Sequence, residues 1–251
     1  MRFDSADRGV RALDSVSFAA TENEFLSVVG PSGCGKSTLL RILAGILEPT
    51  SGAVEFAARG SAERLRTALV FQEHGLLPWC TVLENVALGL ELRGVPRADR
   101  ERAAHAFVAA VGLERFTGAY PHELSVGMRQ RVALARAFVS DAEILLLDEP
   151  FGALDAQTRA VLQQELMRIW RDHRHTVVHV THDIEEAILL GDRVLVMSGR
   201  PGRILEILAV PLPRPREPRA MDRPEIRDLK WHVWQLLERE VRGSLGLAGS
   251  P

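Results

Sequence analysis

The octapeptide Gly30-Pro-Ser-Gly-Cys-Gly-Lys-Ser37 constrains this chain more than any other feature. Before it, Phe25 to Gly30 is an apolar run ending in glycine and reads as a buried strand. After it, Lys36 to Leu47 places Leu39, Leu40, Leu43 and Ile46 at helical spacing. Strand, glycine-rich loop and helix in that order fit the G-x4-G-K-[ST] pattern of a phosphate cradle. The glycines let backbone N–H groups wrap phosphate oxygens, and the helix N-terminus adds a favourable dipole. The expected binding stretch is Gly30, Pro31, Ser32, Gly33, Cys34, Gly35, Lys36, Ser37 and Thr38. Lys36 is placed to reach β- and γ-phosphates, and the Ser37 hydroxyl to ligate Mg²⁺.

A second motif supplies acids. Ile144-Leu-Leu-Leu-Asp-Glu149 is a wholly apolar strand, typical of the centre of a parallel sheet, that ends in two carboxylates. Asp148 is the candidate Mg²⁺ ligand. Glu149, one residue on, is the candidate general base for an attacking water. Together the two motifs specify a P-loop nucleotide triphosphatase.

The remaining pattern sets the architecture. Ala68–Phe71, Thr176–Val180, Arg193–Met197 and Ile204–Leu208 read as strands, and Ala160–Arg171 as an amphipathic helix. From Thr81 to Ser140 the chain reads mostly helical, with Pro96 and Pro121 as breakers. This alternation predicts an α/β fold with a largely parallel sheet, and a helical insert at about residues 76–140. Pro211 to Pro224 holds five prolines and several arginines and reads as an extended tether. In the closing helix, Glu225–Val241, Trp231, Trp234 and Leu237 or Val241 share one side, which is expected to pack on the domain. The division expected is residues 1–212 as the nucleotide-hydrolysing domain and 213–251 as tether plus short helix.

Composition excludes several classes. A net charge of −2 offers no global basic surface for nucleic acid. Two cysteines, Cys34 and Cys80, make no disulfide framework and fit a reducing, cytosolic setting. No apolar run approaches the ~18–20 residues needed to span a bilayer. The charged start, with Arg2, Asp4, Asp7 and Arg8, is unlike a secretory signal. His173, His175, His179 and His182 crowd into ten residues. Alternation directs them to different neighbours, and no cysteine cluster assists, so a metal site is not expected there.

Further elements appear in a fixed order. Gln72 follows the Ala68–Phe71 strand, Leu124-Ser-Val-Gly-Met-Arg-Gln-Arg131 opens a helix, Ala153-Leu-Asp155 follows the acidic pair, and His182 ends the Val177–Thr181 strand. With the two motifs above, this order resembles the ABC transporter ATPase family over nearly the whole chain. The resemblance implies a RecA-like P-loop core with a parallel-rich sheet, a helical insert subdomain and a small antiparallel β part. It implies ATP and Mg²⁺ as ligands, the latter held by Ser37, Gln72 and Asp148. It implies a head-to-tail homodimer in which Ser125 and Gly127 of one copy cover ATP on the other. Lys36, Glu149, His182 and Gln72 are then the catalytic set, with Asp155 in the D-loop and Phe3 near the position of an adenine-stacking aromatic.

Leu76-Leu-Pro-Trp79, Glu84-Asn-Val86, the Gly-Met-Arg-Gln-Arg131 ending, Thr181-His-Asp-Ile-Glu-Glu-Ala187 and Ser198-Gly-Arg-Pro-Gly202 are similar to the nitrate/sulfonate/taurine importer group. That group implies membrane permease subunits, a solute-binding protein outside, and a peripheral place on the cytoplasmic side of the cell membrane. The apolar stretch Leu76–Trp79 is where the permease is expected. The alternatives are a non-transport ABC-type ATPase, disfavoured by the lack of coiled coils or a fused second domain, and a catalytically weakened subunit. The last rests on Val126, which replaces the first glycine of the usual Ser-Gly-Gly. A second departure is that the strand preceding the adenine aromatic in the family is not evident before Phe3. Cys34, beside Lys36 and a helix N-terminus, is expected to favour the thiolate.

Overall fold

The computed structural model describes residues 2–3, 10–56, 67–71 and 75–244. In chain order its strands are Arg2–Phe3 (β1), Val10–Arg11 (β2), Phe25–Val29 (β3), Thr67–Val70 (β4), Ile144–Asp148 (β5), Thr176–Thr181 (β6), Arg193–Met197 (β7) and Ile204–Ala209 (β8). Its α-helices are Lys36–Leu43 (α1), Val82–Leu92 (α2), Arg97–Ala110 (α3), Val126–Val139 (α4), Ala156–His173 (α5), Ile184–Leu190 (α6) and Pro224–Ser244 (α7). Two units divide the chain: Met1–Arg59 with Thr176–Pro251, and Gly60–His175.

In the first unit the strand order is β6-β3-β7-β8. β3 is parallel to both β6 and β7, and β8 closes the edge antiparallel to β7. Every residue of β3 and β6 is buried, which is why both read as near-continuous apolar runs rather than alternating ones. A second antiparallel piece is the β1–β2 pair, in which Phe3 aligns with Val10. This is the parallel-rich α/β arrangement with a small antiparallel part that the motif order implied.

The proline- and arginine-rich stretch is held to this unit rather than running free. Arg214 Nε donates to Asp192 Oδ1 at 2.8 Å, and Arg216 Nη1 donates to the carbonyls of Ile188 and Leu189 at 3.0 and 3.2 Å. Burial pushes the Arg216 guanidinium down to about 10, with Arg214 adding to the effect and Asp192 opposing it, so it remains charged at neutral pH. Beyond it, α7 seats Ile226 and Val233, both fully buried, against Ala187, Ile188, Val194 and Val196. Burying each such side chain contributes about 1.5–3 kcal/mol. The tryptophans do not take part. Trp231 and Trp234 are 57% and 40% exposed, so of the side of α7 expected to pack only Leu237 meets the core. The apolar positions Ile226, Leu229, Val233, Leu236 and Leu237 form the competing and wider stripe.

In the second unit, β4 and β5 pair in parallel with Val70 opposite Leu147. Helices α2, α3 and α4 pack on one another. Thr81 and Glu84 form a capping box at the start of α2: Thr81 Oγ1 accepts from Glu84 N, and Glu84 Oε2 accepts from Thr81 N at 2.7 Å. Pro96 is the N-cap of α3 and Pro121 opens a 3₁₀ turn before α4, the two breaks the prolines predicted. Trp170, Phe138, Phe151 and Leu145–Leu147 fill the interior, with Trp170 Nε1 donating to the His175 carbonyl at 2.7 Å. Among the described residues, no helix is long and apolar enough to cross a membrane.

Candidate functional site

β3 ends at Val29, and the chain turns through a loop whose backbone only glycine adopts comfortably. Gly33 and Gly35 have φ of +76° and +106°. Gly35 is also hemmed in, since a Cβ there would lie 2.7 Å from Leu13 Cδ2 and 3.0 Å from the Ala12 carbonyl. α1 follows at once, with no acid in its first turn and no side chain capping its N-terminus. Its first N–H groups and its dipole therefore point into the loop, the geometry that receives a phosphate. Lys36 is buried, and its Nζ donates to the carbonyls of Gly30 at 2.7 Å and Pro31 at 3.0 Å. The ammonium is thus held inside the loop. Ser37 and Thr38 occupy the first turn of α1, half-buried.

Two other segments build the back of the loop. Gly202 N donates to the Ala12 carbonyl and Asp14 N to the Gly202 carbonyl, both at 2.9 Å. Arg203 Nε bonds Asp14 Oδ2 at 2.8 Å, and that guanidinium, ahead of Ser15 and Arg11, holds the Asp14 carboxyl below the usual carboxylate range despite its partial desolvation. A Cβ on Gly202 would lie 2.2 Å from the Cys34 carbonyl, and one on Gly30 would lie 3.0 Å from Met197 Cβ. Residues 12–14 and 197–203 therefore clamp the loop through backbone contacts. Sequence reasoning singled out Ser198–Gly202 only as a group marker and assigned it no contact.

His182 belongs to the same end of this unit. The register sets Val29 opposite Thr181, so Gly30 and His182 both lie one residue past the ends of neighbouring parallel strands. His182 is exposed. Asp183 then caps α6, accepting from Glu185 N at 2.9 Å and Glu186 N at 3.1 Å. The four histidines serve separate places. His173 packs on Phe107, His175 Nδ1 lies 2.8 Å from the Ala142 carbonyl, and the fully buried His179 pairs through Nε2 with Glu186 Oε1 at 3.0 Å.

Cys34 departs from the expected thiolate. It is 1% exposed, and burial, the largest influence, pushes its thiol up while Lys36 pulls back only in part. Cys80 is also pushed up, first by burial and then by Glu84 and Glu91, but is less enclosed. A maleimide at neutral pH is therefore expected to label Cys80 before Cys34, with or without nucleotide. Peptide mapping by mass spectrometry reads the order directly, and labelling of Cys34 first would mean that the loop opens.

The second unit carries the acids and the Leu124–Arg131 segment. β5 ends at Asp148, which is buried, and Glu149 adopts φ +45°. That left-handed residue breaks the strand's alternation, so the two carboxylates are not forced onto opposite faces. Such a conformation costs a non-glycine residue about 1–3 kcal/mol and persists only where surroundings impose it. Asp155 is the N-cap of α5, accepting from Gln157 N at 3.1 Å and Thr158 N at 3.0 Å, and the Thr158 hydrogen bond leads in holding its carboxyl low. Ser125 caps α4 in the same way, accepting from Met128 N at 3.2 Å. Gly127 is buried where a Cβ would lie 3.0 Å from Thr158 Cγ2, so this glycine also serves helix packing. Val126 is the first residue of α4, 38% exposed, with no positive φ. The left-handed conformation that would exclude valine is not required there.

Gln72 lies outside the described residues, as does the side chain of Phe3. On α2, Asn85 is fully buried and ties down the loop before that helix. Its Oδ1 accepts from Leu77 N at 2.8 Å, and its Nδ2 donates to the carbonyls of Leu77, Cys80 and Thr81 at 3.1, 2.9 and 3.0 Å. The loop so braced presents Trp79 at 72% exposure.

Comparison with known proteins adds the family context. Residues 13–152 match the family model described as ABC transporter. An ABC transporter ATP-binding protein of Methanocaldococcus jannaschii is 50% identical over 242 residues, covering 94% of this chain and 88% of its own length. A taurine import ATP-binding protein of Rhizobium johnstonii is 50% identical over 202 residues, 79% of this chain and 76% of its own. An aliphatic sulfonates import ATP-binding protein of Bacillus cereus is 42% identical over 244 residues, 97% and 94% respectively. Among solved structures, a dimeric post-hydrolysis ATP-binding cassette bound to ADP and Pi is similar at TM-score 0.71 and 33% identity, covering 83% of this chain and 95% of that one.

Proposed function

The chain belongs to the ABC transporter family, and we propose that it is the ATP-hydrolysing subunit of an importer for a taurine-, sulfonate- or nitrate-like solute. The observation that carries the reading is the loop Gly30–Ser37, with two left-handed glycines and a buried lysine leading straight into an uncapped helix. Such a loop holds a nucleotide's β- and γ-phosphates by backbone N–H groups, the α1 dipole and the Lys36 ammonium. The donor set for a hard cation fits as well: the Ser37 hydroxyl, the Asp148 carboxylate and the Gln72 amide oxygen are all oxygen ligands. Mg²⁺ bound by them would neutralise charge on the β- and γ-oxygens. Glu149 then takes the proton of the attacking water, and His182 steadies the γ-phosphate.

The subunit works as a homodimer in this reading. Ser125, Gly127 and the start of α4 from one copy close over the nucleotide on the other, excluding water and adding donors where charge develops. Ser125 keeps its O–H for this while its oxygen caps α4. Asp155 positions α5 beside Gly127, and Phe3 stacks on adenine. Residues 1–212 are the ATPase domain, the helical insert at about 76–140 faces the permease, and 213–251 are the proline- and arginine-rich stretch with the C-terminal helix. The subunit sits peripherally on the cytoplasmic side of the membrane, and a solute-binding protein delivers cargo to the permease from the other side. The testing experiment is Mg²⁺-dependent ATP hydrolysis by the purified chain, together with co-purification with a multi-span permease. Absence of both overturns the reading.

Trp79 supplies a further expectation. Its indole is presented by a loop that Asn85 braces independently of the ring, and an exposed apolar anchor of that kind marks an interface. Trp79→Ala is expected to leave folding and basal hydrolysis unchanged and to weaken permease association by about tenfold or more. Pull-down from detergent extracts checks this, and wild-type retention would remove Trp79 from the interface.

A further inference from the structure

We propose that the outward face of α7 is a homotypic docking surface, on which a second copy of this chain packs its own α7 antiparallel across a two-fold axis between Trp231 and Trp234. The helix is anchored on three sides. Ile226 and Val233 are buried beneath it. On its flanks Lys230 pairs with Glu185, and His232 Nε2 lies 2.8 Å from Glu206 Oε2. Towards its end Glu240 Oε2 accepts from Gly199 N at 2.8 Å. The fourth side carries Trp231 and Trp234, stacked with ring centroids 4.7 Å apart and planes 13° from parallel. Two large rings stacked on each other and left in water form a preformed apolar ridge of the kind interfaces use.

The residues around the ridge select its partner. At helical spacing on the same stripe, Arg227 lies one turn before Trp231 and Glu238 one turn after Trp234. In an antiparallel pair with its dyad between the tryptophans, Trp231 faces the other copy's Trp234, and Arg227 faces the other copy's Glu238. Symmetry makes every such contact twice. A parallel pairing would set Arg227 on Arg227 and Glu238 on Glu238. The stripe is therefore complementary to itself in one orientation. A crossing angle near ~20° keeps these turns together at the usual ~8–10 Å between axes. Glu238 meets Arg242 within α7 at 2.9 Å, an exposed pair of small worth that can share its carboxylate. The proposed contact uses neither the phosphate loop nor the Leu124–Arg131 segment, so it acts without nucleotide and stands apart from the functional reading above.

The test is sedimentation velocity of the full chain, treated with apyrase and EDTA, over a rising concentration series. Reversible dimerisation is expected in the wild type. Trp231→Ser with Trp234→Ser should weaken it by about tenfold or more. Arg227→Glu and Glu238→Arg should each weaken it, and the two together should restore it, because they rebuild the pair across the dyad. Arg227, Trp231 and Trp234 are exposed and Glu238 is half-buried, and thermal melting confirms that the variants fold. A wild type that stays monomeric throughout, or a charge-swapped double variant as weak as the singles, overturns the proposal.

Discussion

Replacing Glu149 by glutamine is expected to leave ATP binding intact, to slow hydrolysis by about 10²–10⁴-fold, the usual worth of a general base, and to accumulate a dimer when ATP is present. Glu149 stands directly beyond the buried Asp148 at the end of β5, at φ +45°. Its carbonyl accepts from Gly152 N at 3.1 Å, closing a turn that re-aims the chain after the strand. Glutamine has the same length and can hold the same backbone turn, so the substitution removes charge and proton affinity while keeping shape. Thermal stability should remain within about 0.5 kcal/mol of wild type, as for other substitutions that disturb no packing. Loss of turnover then cannot be assigned to unfolding. The dimer follows from the same logic: closure binds ATP, hydrolysis reopens it, and blocking the second step leaves the first complete. Size-exclusion chromatography with and without ATP reads the association, and phosphate release reads the rate. Near-native hydrolysis, or a monomer under saturating ATP, would move the base elsewhere.

What could be read from the sequence divides along the range of the interactions involved. The phosphate loop and the acid-ended strand are each written within a few consecutive residues, so spacing alone locates them. Strands β3 and β6 were legible because burial on both faces leaves an unbroken apolar run. Cys34 was misread because local charge argued for the thiolate, whereas segments far along the chain bury the sulfur and burial dominates. Val126 drew suspicion as a lost glycine, but the Ser125 cap sets it as the first residue of α4, where valine's backbone is unstrained. The Trp231–Trp234 side reads as inward because helical spacing gathers apolar residues there. Five aliphatic positions on the opposite side win instead, once Arg214 and Arg216 have drawn the tail against α6. The Ser198–Gly202 turn and the phosphate loop touch across more than 160 residues of chain, and no local pattern encodes that contact.

Gly202 is accordingly where the structure makes its least sequence-evident prediction. An alanine Cβ at this position would lie 2.2 Å from the Cys34 carbonyl, 2.8 Å from Met197 Cε and 3.2 Å from Leu13 Cδ2. The thioether end of Met197 can turn aside, but the Cys34 carbonyl is backbone of the phosphate loop itself. It cannot move without shifting Gly33, Gly35 and the start of α1. The turn cannot retreat either, because Gly202 is hydrogen-bonded on both sides, to Ala12 and Asp14, and Arg203 secures Asp14. Gly202→Ala is therefore expected to lower stability by about 1–3 kcal/mol, the usual range for overpacking. Since a misplacement of about 1 Å in a binding constellation can cost on the order of 100-fold, it should also weaken ATP binding by at least tenfold. Gly199→Ala is the matched control three residues away, where a Cβ would meet only Glu240 Oε2 at an ordinary 3.5 Å, and it should behave as wild type in both respects. Thermal melting and titration with a fluorescent ATP analogue measure the two effects. Wild-type nucleotide affinity in Gly202→Ala would mean that the loop tolerates displacement and that the clamp behind it does not set its geometry.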